Sequence, residues 1–241
     1  MSNPSVALVT GANRGLGREF VRALQQRGVG TVYAAARNPE SVSIEPVDGV
    51  EVIPLRLDVT DSASVSAAAE VATDVDLLVN NAGSSTGALL VTGDEAGIRL
   101  EMETHYFGTL TVIRAFAPVL AANGGGAVLN VLSALSWAVL PTTSAYSAAK
   151  SAAWALTNAV RIELAGQGTQ VSALHVGYMD TDMTAGVEAP KSDPAVIARI
   201  ALDGVAAGAL EILADDVSVQ AKAALALPIE ARYPQFAPSV A

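Results

Sequence analysis

The stretch VALVTGANRGLG, residues 6–17, decides the fold of this chain. It opens with an apolar run that predicts a short buried strand, and the residues after it repeat apolar side chains at helical spacing. Between the two lie Gly11, Gly15 and Gly17. Glycines in this setting permit a tight turn and let the backbone approach a pyrophosphate at the positive end of the helix. The stretch therefore predicts a dinucleotide-binding unit rather than a plain turn or a flexible loop.

The rest of the chain alternates apolar strands with helices. We predict strands at Val6–Val9, Thr31–Ala35, Val50–Leu57, Leu77–Asn80, Ala127–Leu132, Val171–Val176 and Leu210–Leu213. We predict helices near Gly15–Arg27, Ser62–Ala72, Gly97–Ala122, Thr143–Ala165 and Pro194–Ala209. Such alternation is typical of right-handed β-α-β units, so we predict an α/β fold with a Rossmann-like, doubly wound parallel sheet. Ligands of such sheets bind at the carboxyl ends of the strands.

Length and composition exclude several classes of protein. The chain has 241 residues without a linker, charge block or repeat, so we predict a single domain over residues 1–241. A net charge of −10 argues against nucleic acid as a partner. No apolar run reaches the about 20 residues that a membrane span needs. The first residues lack the basic region of a signal peptide and the chain has no Cys, so we expect a reducing cytoplasm and no metal site.

Tyr146 and Lys150 have the spacing that places two side chains on one face of a helix. An ammonium group close to a phenol favours the phenolate and lowers the pKa of the phenol. Such a phenol takes a proton from an alcohol, or returns one to a carbonyl, near neutral pH. The same spacing also occurs on ordinary helices, so the pair is informative only together with the motifs around it.

Four motifs occur in a fixed order: TGANRGLG from Thr10, NNAG at residues 80–83, Ser133, and Tyr146 with Lys150. This order resembles the short-chain dehydrogenase/reductase family over about residues 5–184. The resemblance implies a nicotinamide-dependent oxidoreductase in which Ser133 binds the substrate oxygen, Tyr146 handles the proton and Lys150 holds the nicotinamide ribose. Ser136 is the main rival for the role of Ser133, and the spacing to Tyr146 favours Ser133.

The residues after the second strand predict NADP(H) rather than NAD(H). An acidic residue there would repel a 2′-phosphate, whereas this chain has Arg37 and no acid before Glu40. Arg14 is a second cation suited to the same phosphate, although each Arg alone could be a solvated surface charge. The resemblance places further cofactor contacts at Gly11, Asn13, Gly15, Leu16, Gly17, Asp58, Val59, Asn81, Tyr146, Lys150, Met179 and Thr181. Asn80 is expected to be scaffold, and Asp58, Thr60 or Asp61 could instead begin a helix as its N-cap.

Two positions depart from the family pattern. His105 occupies the place of an Asn that usually holds a water in a proton relay from the Lys. An imidazole can carry protons itself, so His105 either maintains the relay or only fills the gap between helices. Val176 precedes Gly177 where the family usually has Pro-Gly.

The substrate is the least determined part of the prediction. Apolar candidates for the pocket wall are Leu135, Trp137, Leu140, Tyr178 and Met183, each of which could also be core. They favour a small, neutral, hydrophobic ketone or alcohol. By resemblance, residues 182–193 form a mobile substrate-covering segment. We expect residues 223–241 to form a C-terminal tail that closes the pocket or contacts a partner.

The motifs favour a ketone reductase or alcohol dehydrogenase over two other functions. A non-catalytic dinucleotide-binding regulator would explain His105 but not the intact Ser133, Tyr146 and Lys150. A sugar-nucleotide epimerase or dehydratase usually needs a longer C-terminal domain. We also expect a homodimer or homotetramer, with two helices pairing across a two-fold axis. The residues expected at that contact are Leu110, Val112, Ala115 and Phe116 on one helix and Ala152, Ala153, Ala155 and Leu156 on the other.

Overall fold

A parallel sheet forms the centre of the molecule in the computed structural model, which describes residues 4–236. Its strands are β1 (Val6–Thr10), β2 (Thr31–Ala36), β3 (Glu51–Arg56), β4 (Leu77–Asn80), β5 (Ala127–Val131), β6 (Gln170–His175) and β7 (Glu211–Leu213). They pair in the order β3-β2-β1-β4-β5-β6-β7, every pair parallel. The strand order reverses between β1 and β4, and a doubly wound sheet binds its ligand at that point. The predicted fold is confirmed.

Eight α-helices surround the sheet within the described residues. They are α1 (Gly15–Gln26), α2 (Ser62–Val71), α3 (Glu95–Met102), α4 (Thr109–Ala122), α5 (Ser144–Glu163), α6 (Pro194–Ala206), α7 (Asp216–Ala224) and α8 (Ile229–Arg232). A π-helical segment, Glu103–Gly108, joins α3 to α4, so the helix predicted from Gly97 begins earlier and changes its winding midway. The sequence analysis missed α7 and α8. None of the helices between residues 4 and 236 has both the length and the apolarity of a membrane span.

The helices cover both faces of the sheet and leave the central strands buried. Phe20 of α1 and Ile197 of α6 pack with one face. Val65, Phe116 and Leu156, from α2, α4 and α5, pack with the other. Burial on both faces explains why these strands are continuously apolar instead of alternating.

The expected association surface was partly wrong. Val112, Phe116, Ala153 and Leu156 are all buried, with no more than 7% of any of them exposed. These helices carry apolar residues on nearly all sides. Their composition therefore does not distinguish the face that packs on the sheet from the face that points away from it. Of the described residues on the predicted helices Gly97–Ala122 and Thr143–Ala165, the exposed large apolar ones are Leu100, Phe107 and Ile162, at 46%, 47% and 78%.

A buried chain of polar side chains fixes α5 against the sheet. Asn80 donates to Asn130 Oδ1 at 2.8 Å, and Asn130 donates to Thr157 Oγ1 at 3.0 Å. Thr157 in turn donates to the Ala153 carbonyl of its own helix at 2.7 Å. Because α5 also carries Tyr146 and Lys150, this chain sets where those two side chains meet the sheet edge.

Candidate active site

The glycine turn joins β1 to α1 at very close range. Gly11 and Gly15 have φ angles of +66° and +52°, in the left-handed region that favours glycine. A Cβ atom on Gly17 would lie 2.1 Å from the Gly11 carbonyl oxygen, so only glycine fits there. No side chain caps α1, which begins after the extended Arg14. The uncapped N-terminus and the glycine surface together form a cradle suited to a phosphate.

Asn81 and Thr10 lock this turn to the end of β4. Thr10 Oγ1 accepts hydrogen bonds from the backbone N–H groups of Asn81 and Ala82, at 2.9 and 3.0 Å. The Asn81 amide donates to the Thr10 carbonyl at 2.9 Å and lies 3.4 Å from that of Gly11. We expected Asn81 to contact the cofactor; in the structure its amide supports the turn. Leu16 is buried in the core, so only its backbone can face a ligand.

The two cations expected at a 2′-phosphate are both exposed. Arg37 directly follows β2. Arg14 Nη1 lies 3.7 Å from Asp182 Oδ2, and 65% and 78% of these side chains are exposed. Water screens so exposed a pair, so it holds Arg14 only weakly. Asn13 of the same turn is partly buried.

Asp58 and Val59 follow β3. Asp58 accepts hydrogen bonds from the backbone and side chain of Thr60, at 3.0 and 2.8 Å. Of the three N-cap candidates it is Asp61 that caps α2, through the Ala63 N–H at 3.0 Å. Val59 packs under the π-helical segment, since a Cβ atom on Gly108 would lie 3.0 Å from Val59 Cβ.

Ser133, Tyr146 and Lys150 converge at the carboxyl end of β5. Ser133 is buried in the turn after β5, where its hydroxyl accepts from the Leu135 N–H at 3.1 Å and is near enough to Tyr146 to lower the pKa of the phenol. Lys150 is buried, donates to the Val131 carbonyl at 2.8 Å and lies 5.6 Å from the centre of the Tyr146 ring. Ser136 instead accepts from the Ser133 backbone N–H, at 3.4 Å. The hydroxyl that faces the phenol is thus that of Ser133.

The electrostatics of Tyr146 differ from the expectation. Burial raises the pKa of the phenol, and the Ser133 hydroxyl only partly opposes this effect. Burial also lowers the pKa of Lys150 to about 8, against the attraction of Glu101. The expected lowering of the Tyr146 pKa by Lys150 was therefore wrong for the arrangement seen here. At neutral pH Tyr146 is a phenol, which can donate a proton.

His105 lies in the π-helical segment beside Tyr146. The two rings meet edge to face with their centres 5.2 Å apart. Burial, and then the charge of Lys150, lower the pKa of His105, while Glu101 acts in the opposite direction. Glu101 is completely buried and lies 3.2 Å from His105 Nε2. Sequence analysis missed Glu101, although its position four residues before His105 on a helix was a usable signal.

The segment after β6 reaches back over the glycine turn. Asp215, the N-cap of α7, accepts from the Gly177 N–H at 2.7 Å and so holds the Val176–Gly177 backbone in place. Met179 pairs with Ser192, so the chain just before the predicted covering segment (residues 182–193) lies beside the far end of that segment. A Cβ atom on Gly15 would lie 3.3 Å from Thr181, so Thr181 borders the cradle.

The five predicted wall residues differ in how far they are exposed. Leu140 and Met183 are exposed at 39% and 51%, and Leu135 and Tyr178 are partly buried. Trp137 is interior, which corrects its assignment to the wall. Its ring stacks on His175 with centres 3.7 Å apart, and burial lowers the pKa of His175 to about 4.

The described part of the tail, residues 223–236, contacts the segment after Trp137. The Tyr233 hydroxyl accepts from the Val139 N–H at 3.1 Å, and Arg232 donates to the Trp137 carbonyl at 2.5 Å. The rest of the predicted tail, residues 237–241, lies outside the described residues.

Comparisons with known proteins agree on one family. Residues 5–192 match the sequence model of the family described as short chain dehydrogenase. A cis-4-hydroxycyclohexanecarboxylate dehydrogenase of Sinomonas cyclohexanicum is 34% identical over 88% of this chain and 90% of its own. A galactitol 2-dehydrogenase (L-tagatose-forming) of Cereibacter sphaeroides is 34% identical over 74% of this chain and 72% of its own. A short chain dehydrogenase of Burkholderia cenocepacia J2315, solved in complex with NADP, is 37% identical with a TM-score of 0.90 over 96% of each chain.

The geometry of the turn predicts that Gly17→Ala is strongly destabilising. Its Cβ would lie 2.1 Å from Gly11 O, so α1 must shift away from β1. Overpacking of this kind typically costs about 1–3 kcal/mol or more. Urea unfolding measures the loss. Gly166→Ala is the control, since nothing lies within 4 Å of its Cβ and its free energy of unfolding should hardly change. Equal stability of the two variants would contradict the packing argument.

Proposed function

The chain belongs to the short-chain dehydrogenase/reductase family, and we propose that within it the protein is an NADP(H)-dependent oxidoreductase interconverting a ketone or aldehyde with an alcohol. The observation that carries the proposal is the convergence of Ser133, Tyr146 and Lys150 at the carboxyl edge of the sheet. A hydroxyl, a phenol and an ammonium group in one place supply what proton transfer to a carbonyl oxygen needs.

The residues present fit a nicotinamide dinucleotide. Gly17 lets the turn pack directly against α1, because a Cβ there would lie 2.1 Å from Gly11 O, and α1 carries no side-chain cap, so its first N–H groups suit a pyrophosphate. Lys150 is close enough to Tyr146 for one ribose to lie against both. The dinucleotide supplies or accepts the hydride when bound.

In the proposed mechanism the protein handles the proton. Ser133 donates a hydrogen bond to the substrate oxygen and orients it towards Tyr146. Tyr146, whose pKa is raised by burial, gives its proton to the oxygen during reduction. The ammonium of Lys150 then stabilises the phenolate that remains. In the direction of oxidation the same groups act in reverse.

Several observations support NADP(H) over NAD(H). Arg37 follows β2 without an acidic residue that would repel a 2′-phosphate, and Arg14 lies at the start of the neighbouring helix. Asp182 competes for Arg14 only through an exposed contact of 3.7 Å. The Burkholderia cenocepacia J2315 structure in complex with NADP is 37% identical to this chain.

For the substrate, we propose a small, neutral, largely hydrophobic ketone or secondary alcohol. Leu140 and Met183 are exposed apolar side chains on the segments that follow Ser133 and Thr181 in the chain. The two curated relatives are named for dehydrogenation of a hydroxycyclohexanecarboxylate and of a sugar alcohol, which supports action on CH–OH groups. By resemblance to the family, the segment after Thr181 would cover the substrate.

Activity is tested with NADPH and a panel of aryl and alkyl ketones, followed by NADPH absorbance. We expect Tyr146→Phe to lower kcat by about 10²- to 10⁴-fold, because the proton donor is lost, while NADPH binding is retained. In the parent, kcat for reduction should fall as the pH rises through about 8, where Lys150 loses its charge. A parent that binds NADPH but reduces no ketone would favour the non-catalytic regulator instead.

Cofactor preference is tested by Arg37→Asp. Loss of one charge-assisted phosphate contact should weaken NADPH binding by about 1.5–3 kcal/mol, and the new carboxylate adds repulsion. NADH binding should change little. Arg199→Asp, at an exposed position of α6 beside the C-terminal end of α1, is the control for added negative charge. Equal affinities of the parent for NADPH and NADH would refute the preference.

For assembly, we propose a homodimer or homotetramer paired through the outer faces of α4 and α5. The exposed apolar groups there, Phe107 before α4 and Ile162 on α5, replace the buried residues first expected. Sedimentation at micromolar concentration should give a species larger than one chain, and Phe107→Glu should shift it towards the monomer. A monomeric parent would rule the assembly out.

A further inference from the structure

Glu101 is a buried carboxylate that the mechanism above does not use. None of its surface is exposed. It accepts hydrogen bonds from the Thr86 N–H and from Ser84 Oγ, the latter at 3.0 Å, and it lies 3.2 Å from His105 Nε2. Burial alone would raise the pKa of Glu101, but the hydrogen bonds from His105 and Thr86 outweigh it and hold that pKa at about 2. The group is therefore an anion at neutral pH.

The contacts of the His105 ring determine which nitrogen carries the proton. Nε2 faces two acceptors: the Ser84 carbonyl at 2.9 Å and the Glu101 carboxylate at 3.2 Å. Among residues 4–236, the donor that faces Nε2 is the Ser84 N–H, which is more distant at 3.4 Å. Two closer acceptors, one of them charged, favour the proton on Nε2. In the neutral ring, Nδ1 then carries the lone pair.

We propose that Glu101 is a positioning residue of the active site, which holds His105 as the Nε2–H tautomer and leaves Nδ1 as the proton acceptor of the ring. This rests on the proposed function, in which a proton must reach Tyr146, whose ring is 5.2 Å from that of His105. In the same way, the Asp of a Ser-His-Asp triad accepts a hydrogen bond from one imidazole nitrogen and leaves the other nitrogen free to act as the base. A neutral ring with a fixed acceptor takes up and passes on a proton better than a ring that samples both tautomers.

The charged and titratable groups around His105 agree with this role. Glu101 lies on the preceding turn of the same helix, Lys150 on α5 acts against protonation, and Tyr146 packs at the ring edge. Burial and Lys150 lower the pKa of His105, so the ring is neutral at neutral pH. The competing explanation is that Glu101 only anchors the loop at Ser84–Thr86.

Nitrogen-15 NMR of labelled histidine tests the tautomer without any turnover, because the chain has only two His. His175 is an internal contrast: its Nδ1 lies 3.0 Å from the Ser133 carbonyl, which favours the Nδ1–H tautomer. We expect one ring of each kind at neutral pH, with His105→Asn identifying the signals. A parent His105 in the Nδ1–H form, or charged at pH 7, would overturn the proposal. This result stands whether or not the protein reduces ketones.

Glu101→Gln tests the cause of the tautomer. With the Gln oxygen retained by the Thr86 N–H, its NH₂ group points at Nε2 and favours the Nδ1–H form of His105. The kcat should fall by about 10- to 100-fold at unchanged KM, the range found when a hydrogen-bond partner that orients a metal-ligating histidine is removed. Glu103→Gln, an exposed neighbour in the same segment, should change neither the tautomer nor kcat. A Glu101→Gln protein with the parent tautomer would refute the role.

The His105 variants separate a relay from a loop anchor. His105→Phe fills similar space and should lower kcat by about 10²-fold, whereas His105→Asn should keep or raise it. In the His105→Asn background, Glu101→Gln should cost far less than in the parent. An equal cost in both backgrounds, or an active His105→Phe form with the pH profile of the parent, would show that Glu101 serves only the loop.

Discussion

The Thr10 hydroxyl is the contact on which the rest of the site depends. It receives the N–H groups of Asn81 and Ala82, and it donates to the Val79 carbonyl at 3.3 Å. These bonds join the ends of β1 and β4, which are neighbours in the sheet although far apart in the chain. They fix the glycine turn on one side. On the other they fix Gly83, where a Cβ would lie 2.9 Å from His105 Cε1.

A second polar connection aligns the catalytic helix with this point. The Asn80–Asn130–Thr157 chain links β4, β5 and α5 through buried groups, which are costly to leave unpaired. Tyr146 and Lys150 therefore meet Ser133 because the sheet and the helix share one hydrogen-bonded register. The phosphate cradle and the proton-transfer groups lie at one edge because the strands are parallel.

The sequence was most informative where the cause of structure is local. Glycine spacing, strand–helix alternation and the Tyr146–Lys150 interval each act over a few residues, and the fold they predicted is confirmed. Contacts between distant segments were not accessible in the same way. Trp137 was predicted to line the pocket, but its ring stacks on His175, which lies nearly forty residues further along the chain. Phe116 was assigned to the wrong face because α4 is apolar almost all round. Glu101 escaped notice because a carboxylate on a helix is usually solvated.

The stacked His175 also bears on how the protein behaves in acid. An unfolded chain binds a proton at this histidine below about pH 6.5, whereas the folded chain binds that proton only below about pH 4. Over that interval each unit of acidification favours the unfolded state, because only that state gains a proton. By pH 4 the protonation of this one ring in the unfolded chain lowers the free energy of unfolding by on the order of 3 kcal/mol. His175, whose ring contacts the Ser133 carbonyl, therefore also sets part of the stability of the whole fold in acid.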